Sequence, residues 1–141
     1  MYRVNRTDGG VLDIHPVSAG GVANAVAQDT FCAGTQCTIL VMYDQSPRGN
    51  HMPTAPAGVN GAADQPVDAV RLPTFLGGNR VYGAYFMESQ GYRNNSATGL
   101  AVGNAEETTY FVVSGEHYNQ YCCADFGNAE RNNADNGIVS F

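Results

Sequence analysis

The sequence has 141 residues, a usual size for one domain and too short for two well-built ones. Hydrophobic residues make up 43% and charged residues only 14%, with 17 Gly and 13 Asn, so the surface is polar through amides, hydroxyls and backbone rather than through charge. Net charge is −6, there is no Lys, and the Arg residues are scattered except for Arg3 and Arg6, which argues against a nucleic-acid partner; no apolar run approaches a membrane span.

The opening residues MYRVNRTDGG hold no apolar signal core, so any secretion signal is expected to have been removed or to lie outside this sequence. Met1 to Val4 and Val11 to Ile14 read as extended, separated by the turn Asp8-Gly9-Gly10. Residues 18–27 are Ala-rich with apolar side chains at 22, 23, 26 and 27, which predicts a short helix. Cys32 and Cys37 enclose Ala-Gly-Thr-Gln, a tight loop that a disulfide could clamp. Thr38-Ile39-Leu40-Val41-Met42-Tyr43 is the strongest strand signal, a continuous apolar and β-branched run expected to be buried on both faces. It runs into the turn-rich segment Asp44-Gln45-Ser46-Pro47-Arg48-Gly49-Asn50. Residues 53–70, with three Pro and little periodicity, read as a long surface loop. Further strands are predicted at Arg80–Met87, Thr108–Ser114 and Gly137–Phe141. Many short strands with Gly, Asn and Pro turns, and one short helix, predict an all-β antiparallel sandwich.

The four cysteines are Cys32, Cys37 and the adjacent pair Cys122–Cys123. An even count in a low-charge chain favours disulfides and an oxidising compartment, although spacing alone cannot choose among the three pairings. Zinc is the rival, with His117 near the pair, but the chain lacks the gap of two to four residues that zinc fingers carry at both ends. No metal or other cofactor is expected. Adjacent Cα atoms lie about 3.8 Å apart, against roughly 4.4–6.8 Å in an ordinary disulfide, so a bond between neighbours closes a small ring and distorts its peptide. Such a unit would present a compact apolar face to the C–H side of a sugar. Alternatively, Cys122 and Cys123 alternate along a strand, point opposite ways, and pair elsewhere or stay free.

The carboxylates carry no motif. Glu116, Asp125 and Glu130 flank the cysteine pair and Asp44 ends the best strand, but nothing marks any of them as one of the two carboxylates a glycosidase needs. His15, His51 and His117 stand without a Ser or Cys nucleophile signature. Gly9-Gly10, Gly20-Gly21 and Gly77-Gly78 are turn glycines, since no phosphate-binding pattern follows a strand. Two N-glycosylation sequons occur, at Asn5-Arg6-Thr7 and Asn94-Asn95-Ser96, and in a eukaryotic secreted protein both would mark surface loops.

Four segments taken together resemble the catalytic domain of glycoside hydrolase family 54, the α-L-arabinofuranosidases. They are Ser18 to Ala23 with Ala27 to Cys32; Tyr43-Asp44-Gln45-Ser46 with Gly49-Asn50-His51; Gly91 to Asn95 with Ala97-Thr98-Gly99; and His117-Tyr118-Asn119 with Cys122 to Glu130. The resemblance spans nearly the whole sequence. It implies a concanavalin-like or laminin-G-like jelly-roll sandwich, here partial, that removes terminal arabinofuranose from arabinan and arabinoxylan with retention. It also implies disulfides Cys32–Cys37 and Cys122–Cys123, the latter lining the sugar subsite, and secretion. The family's nucleophile, a Glu in an Asp-x-Glu-Asn-Asn motif, and its acid/base, an Asp in a Gly-Gly-Asp segment, have no counterpart here, so no catalytic residue is expected within the 141. The family's opening cysteine pair is also missing ahead of Met1. Pro47-Arg48 replaces the family's usual Gly-Asn, and Ser96 replaces an acidic residue and creates the second sequon.

Residues 1–141 are therefore expected to be a single domain or a fragment of a larger sandwich. In one reading a second polypeptide or self-association completes it for work on an arabinose-containing polysaccharide. In the other it is a non-catalytic carbohydrate-binding or self-assembling module.

Overall fold

The structure, a computed structural model, describes residues 1–58, 61–110, 112 and 113. Strand β1 (Tyr2–Arg6) and strand β2 (Val11–Ile14) form an antiparallel hairpin with Val4 opposite Leu12 and Tyr2 opposite Ile14. Its turn closes through Arg6 N donating to Gly10 O and Gly9 N to Arg6 O, and Gly9 supplies the positive φ of 91° that the turn requires. Strand β3 (Cys37–Met42) pairs antiparallel with the other edge of β1, and the two-residue strand β4 (Met52–Pro53) with β3. The four-stranded sheet thus runs β2-β1-β3-β4.

One expectation for β3 needs correction: it is not buried on both faces. The register slips between Arg3 and Val4, where Arg3 faces Val41 and Val4 faces Ile39, so Leu40 is the extra residue of a bulge. Cys37 and Ile39 are buried before it, and Met42 rejoins the core side after it, opposite Tyr2. The remaining apolar side chains of the run are only half-buried.

The helix also lies later than predicted. Helix α1 spans Ala25–Cys32, because Asn24 caps it by accepting from Ala27 N at 3.0 Å. Residues 18–21 form instead a turn through Gly20 at φ 70°, with Gly21 N bonded to Ser18 O and a bridge between Pro16 and Ala23. The face of α1 carrying Ala25, Gln28 and Cys32 is buried, while Val26, counted on the apolar stripe by sequence, faces outward. The core gathers Val4, Ile14, Cys32, Cys37, Ile39, Val67 and Ala69.

Val67 and Ala69 overturn the surface-loop reading of 53–70: both are wholly buried. Ile39 N donates to Val67 O and Ala69 N to Cys37 O, so this stretch lies along β3 as a short extra strand would. Two spaced apolar residues after a proline were too brief a pattern to count as a strand.

A second, two-stranded sheet pairs β5 (Leu72–Leu76), which sequence reading missed, with β6 (Asn79–Gly83), shorter than the predicted 80–87. Gly77 and Gly78 join them, both at positive φ, as a two-residue hairpin requires. Of the predicted strand 108–114, the described residues 108–110, 112 and 113 form no strand, and Tyr110, Val112 and Val113 are exposed. The predicted strand 137–141 lies outside the described residues. What is described is mostly β with one short helix.

Candidate functional site

The turn leaving β3 is built around one carboxylate. Asp44 accepts from Ser46 N at 2.7 Å through Oδ1, and from Ser46 Oγ at 2.7 Å and Asn50 N at 2.8 Å through Oδ2. These donors, the Ser46 backbone N–H first, hold its pKa below the ordinary carboxylate range. Asp44 N in turn donates to His51 Nδ1 at 3.1 Å, and the His51 ring meets the Tyr43 ring edge-on at 4.9 Å.

Residues 91–99 are tied onto that turn by neutral amides. Asn50 donates from Nδ2 to Thr98 O at 2.9 Å and accepts from Thr98 N at 3.0 Å, and Asn94 Nδ2 donates to His51 O at 2.9 Å. Arg93 reaches Pro56 O at 2.7 Å, and Tyr92 donates to Ile39 O at 2.6 Å while accepting from Val67 N. Two segments about fifty residues apart in sequence thereby become one surface. Between them lies an open recess of about 470 Å³ lined by Tyr43, Asp44, Ser46, Arg48, Asn50, Met52, Gly99 and Leu100.

Behind Tyr43, Arg3 forms a bidentate pair with Asp13 (Nε–Oδ1 2.7 Å, Nη2–Oδ2 2.9 Å), and the Tyr43 hydroxyl donates to the same carboxylate at 2.7 Å. Arg3, then Tyr43, draws the Asp13 pKa well below the usual carboxylate range. Desolvation, then the bond to Asp13, pushes the Tyr43 phenol upward. Sequence reading missed this cluster, although it was within reach: counting back from the Asp8–Gly10 turn sets Arg3 opposite Asp13. It also missed the contact between Asp29 on α1 and both Arg80 and Tyr82 on β6.

Of the residues singled out by sequence, Cys32 and Cys37 are bonded to each other, linking the end of α1 to the start of β3. Asn5 lies in β1, between β2 and β3, rather than in a loop. Asn94 lies in the loop just described, with its Oδ1 accepting from Ser96 N at 2.8 Å. Cys122, Cys123, Glu116, His117, Asp125 and Glu130 lie outside the described residues. Among the described residues no three His, Cys, Asp or Glu side chains gather as a metal site, and no helix is long and apolar enough to cross a membrane.

Residues 1–140 match the family described as "Alpha-L-arabinofuranosidase B, catalytic". The chain belongs to that family. As an arabinofuranosidase B family member it is 49% identical to the alpha-L-arabinofuranosidase B of Aspergillus oryzae and 48% identical to an alpha-L-arabinofuranosidase of Hypocrea jecorina. Each match covers 97% of this chain and 28% of the relative, so the chain spans little more than a quarter of their length. A solved arabinofuranosidase complexed with arabinofuranosyl-alpha-1,2-xylobiose superposes at a TM-score of 0.68 with 44% identity, over 72% of this chain and 22% of the other. A family 54 arabinofuranosidase soaked with a cyclic sulfate inhibitor matches with the same figures.

Proposed function

We propose that residues 1–141 form part of a secreted α-L-arabinofuranosidase acting on arabinose-containing polysaccharides. The observation that carries this is the match of nearly the whole chain, at about half identity, to proteins named for that activity. The antiparallel four-stranded sheet with a second small sheet supports a partial jelly roll of the concanavalin or laminin-G type. The Cys32–Cys37 disulfide supports an oxidising, extracellular setting.

Retaining hydrolysis needs a nucleophile and an acid/base about 5–5.5 Å apart. Asp8, Asp13, Asp29 and Asp44 are each engaged by Arg or backbone donors as fixed parts of the fold. Because the family's nucleophile and acid/base motifs have no counterpart in these 141 residues, both catalytic carboxylates are assigned to other sequence. The contribution of this chain is the scaffold and, through a bonded Cys122–Cys123 pair, an apolar wall for the sugar. A second polypeptide or a second copy completes the sandwich, which the exposure of Phe75, Leu76, Val102, Val112 and Val113 supports.

The pure chain should not turn over an aryl arabinofuranoside, and the remainder of the catalytic domain, supplied as a separate polypeptide, should restore turnover. Activity of the pure chain, abolished by replacing Glu116, Asp125 or Glu130, would overturn the assignment of the carboxylates. Glycan binding without any restoration would favour the non-catalytic module. Sedimentation of the chain alone should show association, whereas a cooperatively melting 15.0 kDa monomer at micromolar concentration removes the need for a partner.

A further inference from the structure

The two Asn-x-Ser/Thr sequons stand in opposite surroundings. Asn5 belongs to β1, which has a partner strand on each edge, and lies opposite Val11 of β2 and Thr38 of β3. The third residue of that sequon, Thr7, is engaged as well: its hydroxyl shares a hydrogen bond with Thr35 Oγ1 at 2.8 Å, and its amide donates to Gln36 O at 3.1 Å. Asn5-Arg6-Thr7 is thus built into the sheet and its border.

Asn94-Asn95-Ser96 belongs to no strand or helix, and Asn95 and Ser96 are exposed. Asn94 Oδ1 accepts from Ser96 N at 2.8 Å, an Asx turn that folds the segment back and sets Ser96 beside the carboxamide. The Asn94 Nδ2 donates to His51 O at 2.9 Å, which fixes the acceptor side chain against the neighbouring turn. A carboxamide carries two N–H donors, so the second remains for a covalent bond without loss of this tie. Ser96 stands where the resembled family usually has an acidic residue, so the sequon is a property of this chain.

We propose that Asn94 is an N-glycosylation site and that Asn5 is not. The donor is a polyisoprenyl-diphosphate oligosaccharide of the eukaryotic secretory pathway. In the transfer, Asn94 Nδ2 forms a bond to the anomeric carbon of the first N-acetylglucosamine, and the bond from that carbon to the diphosphate breaks. The diphosphate leaves with the electron pair, and one proton passes from Nδ2 to a base of the transferase. The inference rests on the secreted setting of the arabinofuranosidase reading and not on the activity; the relatives from Aspergillus oryzae and Hypocrea jecorina are fungal, and so come from cells that possess this pathway.

The test expresses all 141 residues behind a cleavable signal in a yeast and maps peptides from both the secreted and the retained protein. Masses are read before and after an amidase that releases N-glycans and leaves Asp at each position that carried one. Asn94 should be converted and Asn5 should not. Asn94→Gln should remove the glycan mass altogether, whereas Asn5→Gln should leave it in place. Ser96→Ala should also remove it with the fold undisturbed, because both Asn94 bonds use atoms other than the Ser96 hydroxyl. Ser96→Thr should keep it. An unmodified Asn94, or a glycan on Asn5, overturns the proposal. A Cys32–Cys37 bond found in that same protein leaves the secreted arabinofuranosidase reading standing, and free thiols there count against it.

Discussion

Gln28→Ala should destabilise the fold far more than an ordinary helix substitution. Gln28 is wholly buried on α1, donates from Nε2 to Ala69 O at 2.5 Å, and accepts at Oε1 from the Tyr2 hydroxyl. One side chain therefore ties the helix to β1 and to the buried 67–69 stretch. Truncation removes two hydrogen bonds of about 1 kcal/mol each and leaves Ala69 O and Tyr2 without partners, at about 1 kcal/mol or more apiece. The one lost methylene adds about 0.8 kcal/mol, which released side-chain entropy of about 1.5 kcal/mol more than offsets. The net loss of about 3–4 kcal/mol is a large part of a typical domain's stability and corresponds to roughly 10 °C in melting temperature. Thermal melts at one fixed protein concentration measure it. Tyr2→Phe should cost about half as much, and the double variant should cost less than the two singles added together, because they share a bond. A Gln28→Ala shift under about 2 °C, or strict additivity with Tyr2→Phe, would refute the reasoning.

Burial, then Tyr82, pushes the Tyr2 phenol up to about 12, so its contribution is complete below about pH 10 and is lost as pH rises toward 12; Tyr2→Phe should flatten the alkaline limb of a stability profile. Asp13 behaves oppositely: its lowered pKa stabilises the fold above the unfolded value near 4 and loses that effect on acidification, so Asp13→Asn should flatten the acid limb. Peptide mapping of the unreduced protein should return Cys32 joined to Cys37 and Cys122 joined to Cys123. Any peptide linking an early cysteine to the late pair would contradict both bonds. Replacing Cys32 and Cys37 by Ser should cost about 2 kcal/mol, the loop-closure value for so short a span.

The first hairpin and β3 were legible because their signals are local: a Gly-rich turn between extended runs, then six apolar or β-branched residues. The bulge at Leu40 was not, since a register shift shows only once β1 lies alongside. The helix was displaced because alanine and valine at 22–27 outweighed Asn24, whose capping carboxamide fixes the true start. Residues 67–69 were misread because their burial comes from pairing with β3, a partner nearly thirty residues back. At the candidate site the family segments marked which residues matter. Composition could not reveal that Asn50 and Asn94 join two of those segments, because exposed and bridging amides look alike in a sequence.

The β5–β6 hairpin also constrains how the smaller sheet can widen. In an antiparallel ladder counted from the Gly77-Gly78 turn, Leu76 and Thr74 bond inward, so position 73 turns its nitrogen outward. That position is Pro73, whose nitrogen carries no hydrogen, so the outer edge of β5 lacks a donor midway along. The loss costs the hairpin nothing and blunts that edge against an incoming strand.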